Sequence, residues 1–343
     1  MLEQPGTIRI KTKDFNAYIK TKNSWKKTKI SESAKKVINS FKAHKNLKEL
    51  IDKKDPNFIK GMIFNDKCLG ARINILPDGT KLNQAYSLFA KNLTIHDEKS
   101  HDHWDVIYQN PNGKFAYIYT LEKKIKSKTS KFKKVKEFKK VFPILQENAQ
   151  KALSDKKDIL ALPMFTLLNT YMRVGNEIYY KEHNHKGLTT LKKKDIKINN
   201  NKVTFNYIAK DGVPMVINKD FPEAYTFRLK AQLKNLNKDS FIFTTSKGHL
   251  LKESNFKEAF KKYCGKEFFP HIVRSFYATN SIQEFLKTKP NKTEIKNQLK
   301  DIAEKLGHKK FSKKHKEWED NYTTTISHYI EPKLAEKVRL LIK

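Results

Sequence analysis

Between Asp158 and His183 the chain reads DILALPMFTLLNTYMRVGNEIYYKEH, and this segment constrains the architecture more than any other. Its apolar residues recur at helical spacing and crowd together through PMFTLLNTYM, which predicts a buried helix or a closely joined pair of helices, packed on by other elements. No run of about 18 apolar residues occurs, so the segment is core rather than a membrane span. At 343 residues the chain also has room for a second domain.

The rest of the pattern predicts an α+β protein. Residues 1–45 are polar, lysine-rich and weakly periodic, and are expected to be a loosely docked basic extension. Residues 46–121 hold short strand-like pieces (MIFN, ARINIL and DVIYQNPNGKFAYIYTL, a hairpin across NPNG) and read as a small β-rich domain. A lysine-dense connector over 122–140 leads into a mainly helical domain over 141–343. Within it, DIKINNNKVTFNYIAKDGVPMVIN alternates around two turns, a small antiparallel sheet with a tight Asp211-Gly212 turn just after Lys210. Helices are expected at roughly 220–235, 254–264, 271–287 and 292–306, the last stopped by Gly307, and a terminal helix starts at Pro332.

Charge narrows the partner. Lys and Arg number 71 against 36 Asp and Glu, a net +35 spread along the chain, which points to a polyanion and to nucleic acid before a membrane surface. The basic residues are 65 Lys and only 6 Arg: Arg9, Arg72, Arg173, Arg228, Arg274 and Arg339. Where lysine serves, this sequence uses lysine, so each arginine marks a place where a planar, two-pronged donor is needed. The two cysteines, Cys68 and Cys264, have no metal or redox spacing, and the first twenty residues lack the apolar stretch of a secretory signal; both favour an intracellular setting. HDHWD (101–105) and HNH (183–185) pair histidines two apart, but neither has further ligands at a recognised spacing, so no metal site is expected.

Polar side chains interrupt ordered contexts at several places. Arg173 follows the apolar run, where an unpaired guanidinium is costly. Lys210 sits at a hairpin tip, PHIVRSFYATN puts His271 and Arg274 on one helical face, and KLGHKK places His308 after a helix stop. Taken singly, each has an ordinary structural explanation, and Tyr329 in TTTISHYIEP is one of 14 tyrosines.

Taken in order, Arg, Lys, Arg, His, Tyr resembles the type IB DNA topoisomerases of the poxvirus and bacterial kind, in the superfamily shared with tyrosine recombinases. YMRVGNEIYYKEHNHKGLTTLKKKDI is similar to the family's first-arginine segment, FNYIAKDGV to its lysine hairpin, HIVRSFYATN to its second-arginine helix, LGHKK to its histidine and SHYIEP to its nucleophile. KFKKVKEFKKVFPILQENAQKAL and GKFAYIYT resemble the connector helix and the strand before it, so the likeness covers roughly residues 95–343.

The resemblance implies a two-domain clamp that closes as a monomer around duplex DNA and relaxes supercoils through a transient 3′-phosphotyrosine. Tyr329 is then the nucleophile, with Tyr322 its nearest rival; Arg173, Arg274 and His308 stabilise the phosphoryl oxygens, and Lys210 protonates the leaving 5′-oxygen. ATP and an obligatory divalent metal are not required. Two features depart from the family pattern: FSKKHKEWEDN lengthens the interval between His308 and Tyr329, and His271 stands where tyrosine recombinases carry histidine and topoisomerases more often lysine. His271 therefore keeps two readings open, an auxiliary catalytic role and a structural one, and keeps a tyrosine recombinase as the alternative function. A non-catalytic DNA-binding protein is disfavoured because every catalytic position is filled. Lysine-rich usage and the poxvirus-like motifs imply an AT-rich source, a large DNA virus acting in virion or host cytoplasm or else a bacterium.

Overall fold

The computed structural model describes residues 3–70, 72–96, 104–111 and 113–343. The chain divides into two units, Met1–Thr129 and Ser130–Lys343.

The first unit is β-rich. Strands β1 (Ile8–Ile10), β2 (Ala17–Lys20) and β3 (Trp25–Thr28) precede helix α1 (Glu32–Ala43), and β4 (Met62–Phe64) and β5 (Lys67–Leu69) follow it. These strands make one antiparallel sheet in the order β3-β2-β1-β4-β5. Asn65 and Asp66, at φ 47° and 58°, form the two-residue turn between β4 and β5, whose twist suits a tight hairpin. Strands β6 (Ile73–Ile75) and β7 (Lys81–Tyr86) pair with each other, and β8 (Lys91–Ile95), β9 (Val106–Gln109) and β10 (Phe115–Ile118) form a sheet ordered β10-β9-β8. The β9–β10 hairpin is the one expected across NPNG; Asn112 of that stretch lies outside the described residues, as do His101, Asp102 and His103 of the HDHWD stretch.

The expected loose extension over 1–45 is corrected by this sheet. Ile10, Ala17, Ala34, Val37, Ile38 and Phe41 are buried in the same core as Leu50, Tyr86, Val106 and Ile118. On α1 the buried positions are spaced i, i+3, i+4, i+7, and Ser31 caps the helix by accepting from the Ala34 amide at 3.2 Å. The first three strands are three or four residues long and turn at most two side chains fully inward, too few to register as alternation among so many lysines. Arg9, 3% exposed, donates to Asp52 at 3.0 Å and Asp55 at 2.9 Å, pairs with Glu3, and lies over the Phe58 ring.

Helix α2 (Leu121–Lys151) runs across the boundary at Thr129. The connector expected over 122–140 is thus part of one continuous helix, and its second half belongs to the helical unit. The reason is an apolar stripe, Phe132, Val135, Phe138, Leu145 and Ala149, at helical spacing and buried in that unit's core.

The long apolar segment resolves as the closely joined pair α3 (Ala161–Thr170) and α4 (Glu177–His183). Strands β11 (Ile196–Asn199), β12 (Lys202–Ile208) and β13 (Pro214–Asp220) form the expected antiparallel sheet. Helices α5 (Glu223–Lys234), α6 (Glu253–Cys264), α7 (Ile272–Phe285) and α8 (Lys292–Lys305) follow. The insertion after His308 folds as a hairpin of β14 (Lys309–Ser312) and β15 (Glu317–Asp320), with Phe311 edge-on to Trp318 and Trp318 packed on the main core. Helices α9 (Tyr322–His328) and α10 (Pro332–Leu341) close the chain. A second cluster unites α8, α9, α10 and the far half of α7, and Tyr329 lies in it. Among the described residues no helix is long and apolar enough to cross a membrane.

Candidate active site

Five loci far apart in sequence converge in the helical unit. Tyr171, in the left-handed region at φ 57°, ends α3, and the chain then runs through Arg173 to Asn176, whose side chain caps α4 by accepting from the amides of Ile178 and Tyr179. This segment is clamped by the Leu188 amide on the Arg173 carbonyl at 2.8 Å and by the Thr189 amide on the Val174 carbonyl at 2.7 Å. The glycines of RVGNE and GLTTL meet here. Gly175 has φ +98°, and a Cβ on Gly187 would stand 2.6 Å from Gly175 Cα and 2.7 Å from the Arg173 carbonyl oxygen. Two bare backbones in contact fix where Arg173 starts.

Lys210 opens the β12–β13 turn, in which Asp211 and Gly212 take φ 63° and 80° and the Ala209 amide donates to the Val213 carbonyl at 2.7 Å. Lys210 is exposed and makes no ion pair among the described residues. Arg173, Lys210, Arg274 and His308 line one cavity of about 150 Å³. Lys186 also lines it but is committed to Asp195 at 2.7 Å.

Arg274 projects from the first turn of α7 and is 2% exposed. It donates to the carbonyls of Tyr171 and Leu306, both at 2.6 Å, and its Nη2 lies 3.2 Å from His308 Nε2. Its Nε is buried without a partner among the described residues. His308 is set by the end of α8: the Gly307 amide, at φ 64°, donates to Glu304 and the His308 amide to Ala303, a paired closure that glycine's left-handed freedom permits. His308 Nδ1 lies 2.8 Å from Thr325 Oγ1. Because Arg274 can only donate, Nε2 accepts and Nδ1 carries the proton to Thr325.

Tyr329 follows α9 directly and is 4% exposed. Arg173 Nη2 donates to its Oη at 3.1 Å. The rings of His308 and His271 lie 4.5 Å and 5.1 Å from its own, and Arg274 Cζ stands 5.3 Å from its centroid. Tyr322 sits at the other end of α9, packed against the hydrophobic cluster. The arrangement gathers Tyr329, not Tyr322, with the two arginines.

Burial and the neighbouring cations shift three of these groups, His308, Arg274 and His271. Burial, then repulsion from Arg274 and Arg173, lowers the His308 pKa to about 2, so its imidazole is neutral at pH 7. Burial, then Arg173, brings Arg274 down to about 10, which leaves it cationic at neutral pH. Desolvation, then Arg274, Arg173, Lys131 and Lys210, lowers the His271 pKa. Neither Arg173 nor Arg274 has a carboxylate partner among the described residues. Two guanidiniums facing one buried phenol without a countercharge form a site for an anion.

Residues 120–339 match the family described as eukaryotic DNA topoisomerase I, catalytic core. The chain belongs to that family. The matched span holds Arg173, Lys210, His271, Arg274, His308 and Tyr329. Among solved structures, this topoisomerase-family chain is similar to the XerH site-specific recombinase bound to difH substrate in a pre-cleavage complex, at 18% identity and TM-score 0.35, over 67% of this chain and 59% of the recombinase. A post-cleavage complex of XerH with palindromic difH substrate matches at 16% identity and TM-score 0.35, over 58% of this chain and 51% of that one. The chain thus spans less than two thirds of either recombinase. No curated protein matches the sequence.

Sequence reasoning missed three residues that shape the site: Thr325 on His308, Thr279 on the Tyr329 carbonyl at 3.1 Å, and Lys131 on the His328 carbonyl at 2.6 Å. The hydroxyl run before Tyr329 was the available signal for Thr325. The HNH histidines His183 and His185 lie 5.6 Å apart ring to ring, and among the described residues no three metal-ligating side chains cluster.

Proposed function

We propose that the protein is a type IB DNA topoisomerase that relaxes supercoiled duplex DNA as a monomer. The observation that carries this reading is the Arg173 to Tyr329 hydrogen bond, beside a second buried arginine, with no carboxylate among the described residues to neutralise either. A phosphodiester supplies the missing negative charge and an electrophile for the phenol.

In the proposed step Tyr329 Oη attacks phosphorus, the new P–O bond forms, and the bond to the 5′-oxygen breaks with its electron pair going to that oxygen. Lys210 protonates the departing oxygen, and the phenolic proton passes to water through the neutral imidazole of His271. Arg173 and Arg274 hold the nonbridging oxygens as charge develops. His308, its Nε2 accepting from Arg274 and its Nδ1–H donating to Thr325, holds that guanidinium at the reacting phosphate. The phosphotyrosine keeps the bond energy, so rejoining needs no ATP, and the protein's own cations meet the electrostatic demand without a divalent metal.

Relaxation of supercoiled plasmid in EDTA without ATP tests the reading, with Tyr329→Phe and Tyr322→Phe compared. Loss in Tyr329→Phe alone supports it. Wild-type protein that binds plasmid and leaves its linking number unchanged refutes it, and a two-site substrate then tests the recombinase alternative that His271 keeps in view.

A further inference from the structure

Helix α2 is rich in lysine, and one of its lysines ends at the nucleophile segment. Lys131, half-buried, donates to the His328 carbonyl at 2.6 Å and stands 5.0 Å from the centroid of the Tyr329 ring. His328 is the last residue of α9, so its carbonyl is one that the helix leaves without an internal partner. An ammonium there also complements the negative end of the helix. The next residue is held as well: the Tyr329 amide donates to Thr325 at 2.9 Å, and its carbonyl accepts from Thr279 Oγ1, which in turn accepts from the Glu331 amide at 3.2 Å.

Helix capping alone explains the bond to His328. It does not explain why the same ammonium lies over an aromatic ring that Arg274, His271 and His308 already flank. We propose that Lys131 is a positioning residue for Tyr329, anchoring the end of α9 so that the phenol meets Arg173 and adding a cation against the ring that carries the attacking oxygen. The inference rests on the nucleophilic role proposed for Tyr329. Its mechanical content is that a residue in the long basic helix sets the register of a residue 198 positions later in the chain, one beyond the carbonyl it holds.

Single-turnover cleavage of a duplex with a mapped cleavage site tests it, using Lys131→Met, Lys131→Gln and Lys131→Arg beside Lys210→Ala. Each enzyme meets two substrates, the ordinary one and one with sulfur in place of the bridging 5′-oxygen, whose thiolate departs without a proton. Lys131→Met is expected to slow both substrates alike, by roughly ten- to a hundredfold, the scale of a small misplacement of a reacting atom. Lys131→Arg recovers most of the loss and Lys131→Gln part of it, while Lys210→Ala is slow on the oxygen substrate alone. Cleavage by Lys131→Met and Lys131→Gln at the wild-type rate overturns the proposal, as does a defect that vanishes with sulfur, which would put Lys131 on the leaving-group side. Wild-type protein that cleaves neither substrate removes the nucleophilic reading itself.

Discussion

Arg173→Lys and Arg274→Lys make the same chemical exchange at two guanidiniums assigned the same duty, yet they are expected to differ in stability. Arg274 holds two buried carbonyls at 2.6 Å and faces His308 Nε2 at 3.2 Å. A lysine ammonium is a point donor on a different reach and cannot span all three. At least one carbonyl then loses its partner, at a cost of about 1–3 kcal/mol. Arg173 is half-buried and its side chain bonds the Tyr329 hydroxyl rather than the backbone, so Arg173→Lys is expected to change stability by less than about 0.5 kcal/mol. Both variants are expected to lose roughly 10²–10³ in cleavage rate, the usual effect of removing one oxyanion donor. Urea unfolding followed through Trp318 fluorescence, with Trp25 and Trp104 replaced by Phe, reports on the helical unit. With a slope of about 2 kcal/mol per molar urea, a loss of about 2 kcal/mol moves the midpoint by about 1 M. Equal midpoints for the two variants would refute the assignment of Arg274 as a structural as well as a catalytic residue.

Gly187→Ala is expected to destabilise the helical unit by about 1–3 kcal/mol and to depress cleavage, because the new Cβ meets backbone atoms of Gly175 and Arg173 that cannot swing aside; unchanged melting and activity would show that the glycine contact is not needed. Arg9→Lys is expected to destabilise the first unit, measured by hydrogen exchange over β1, since one ammonium cannot reach Asp52 and Asp55 and stack on Phe58 as the guanidinium does; unchanged exchange would show the fork to be dispensable. The buried imidazole of His308, with its pKa lowered to about 2, refuses a proton that the unfolded chain accepts near 6.5, so stability falls as pH falls through that window. His308→Gln is expected to flatten the pH dependence of unfolding by up to about 1.4 kcal/mol per pH unit below 6.5, which urea titrations at several pH values would check.

The site is legible in the sequence where a local rule and a chemical need coincide. The Asp-Gly turn after Lys210, the glycine stop before His308 and the one-turn spacing of His271 and Arg274 all follow from short-range geometry, and the turn, the stop and the spacing are all present in the fold. The three short strands of the first 45 residues conceal their order because each turns at most two side chains inward, whereas α1 carries a legible helical pattern, with Ala34, Val37, Ile38 and Phe41 behind the Ser31 cap. Lys131 is illegible for a different reason: its partner is 197 residues away, and one lysine among 65 carries no signal of its own.

Arginine scarcity is informative, but about geometry rather than about phosphate. Arg9 forks onto carboxylates, and Arg228 onto the carbonyls of Ala152, Leu153 and Asp158, so both are structural. Arg72 and Arg339 make exposed contacts, to the Cys68 carbonyl and the Ser327 hydroxyl. What separates Arg173 and Arg274 from these is that they converge on one phenol with no acidic partner among the described residues. Two guanidiniums left without a countercharge beside one phenol are the positive half of an ion pair, and the proposed phosphodiester substrate would supply the negative half.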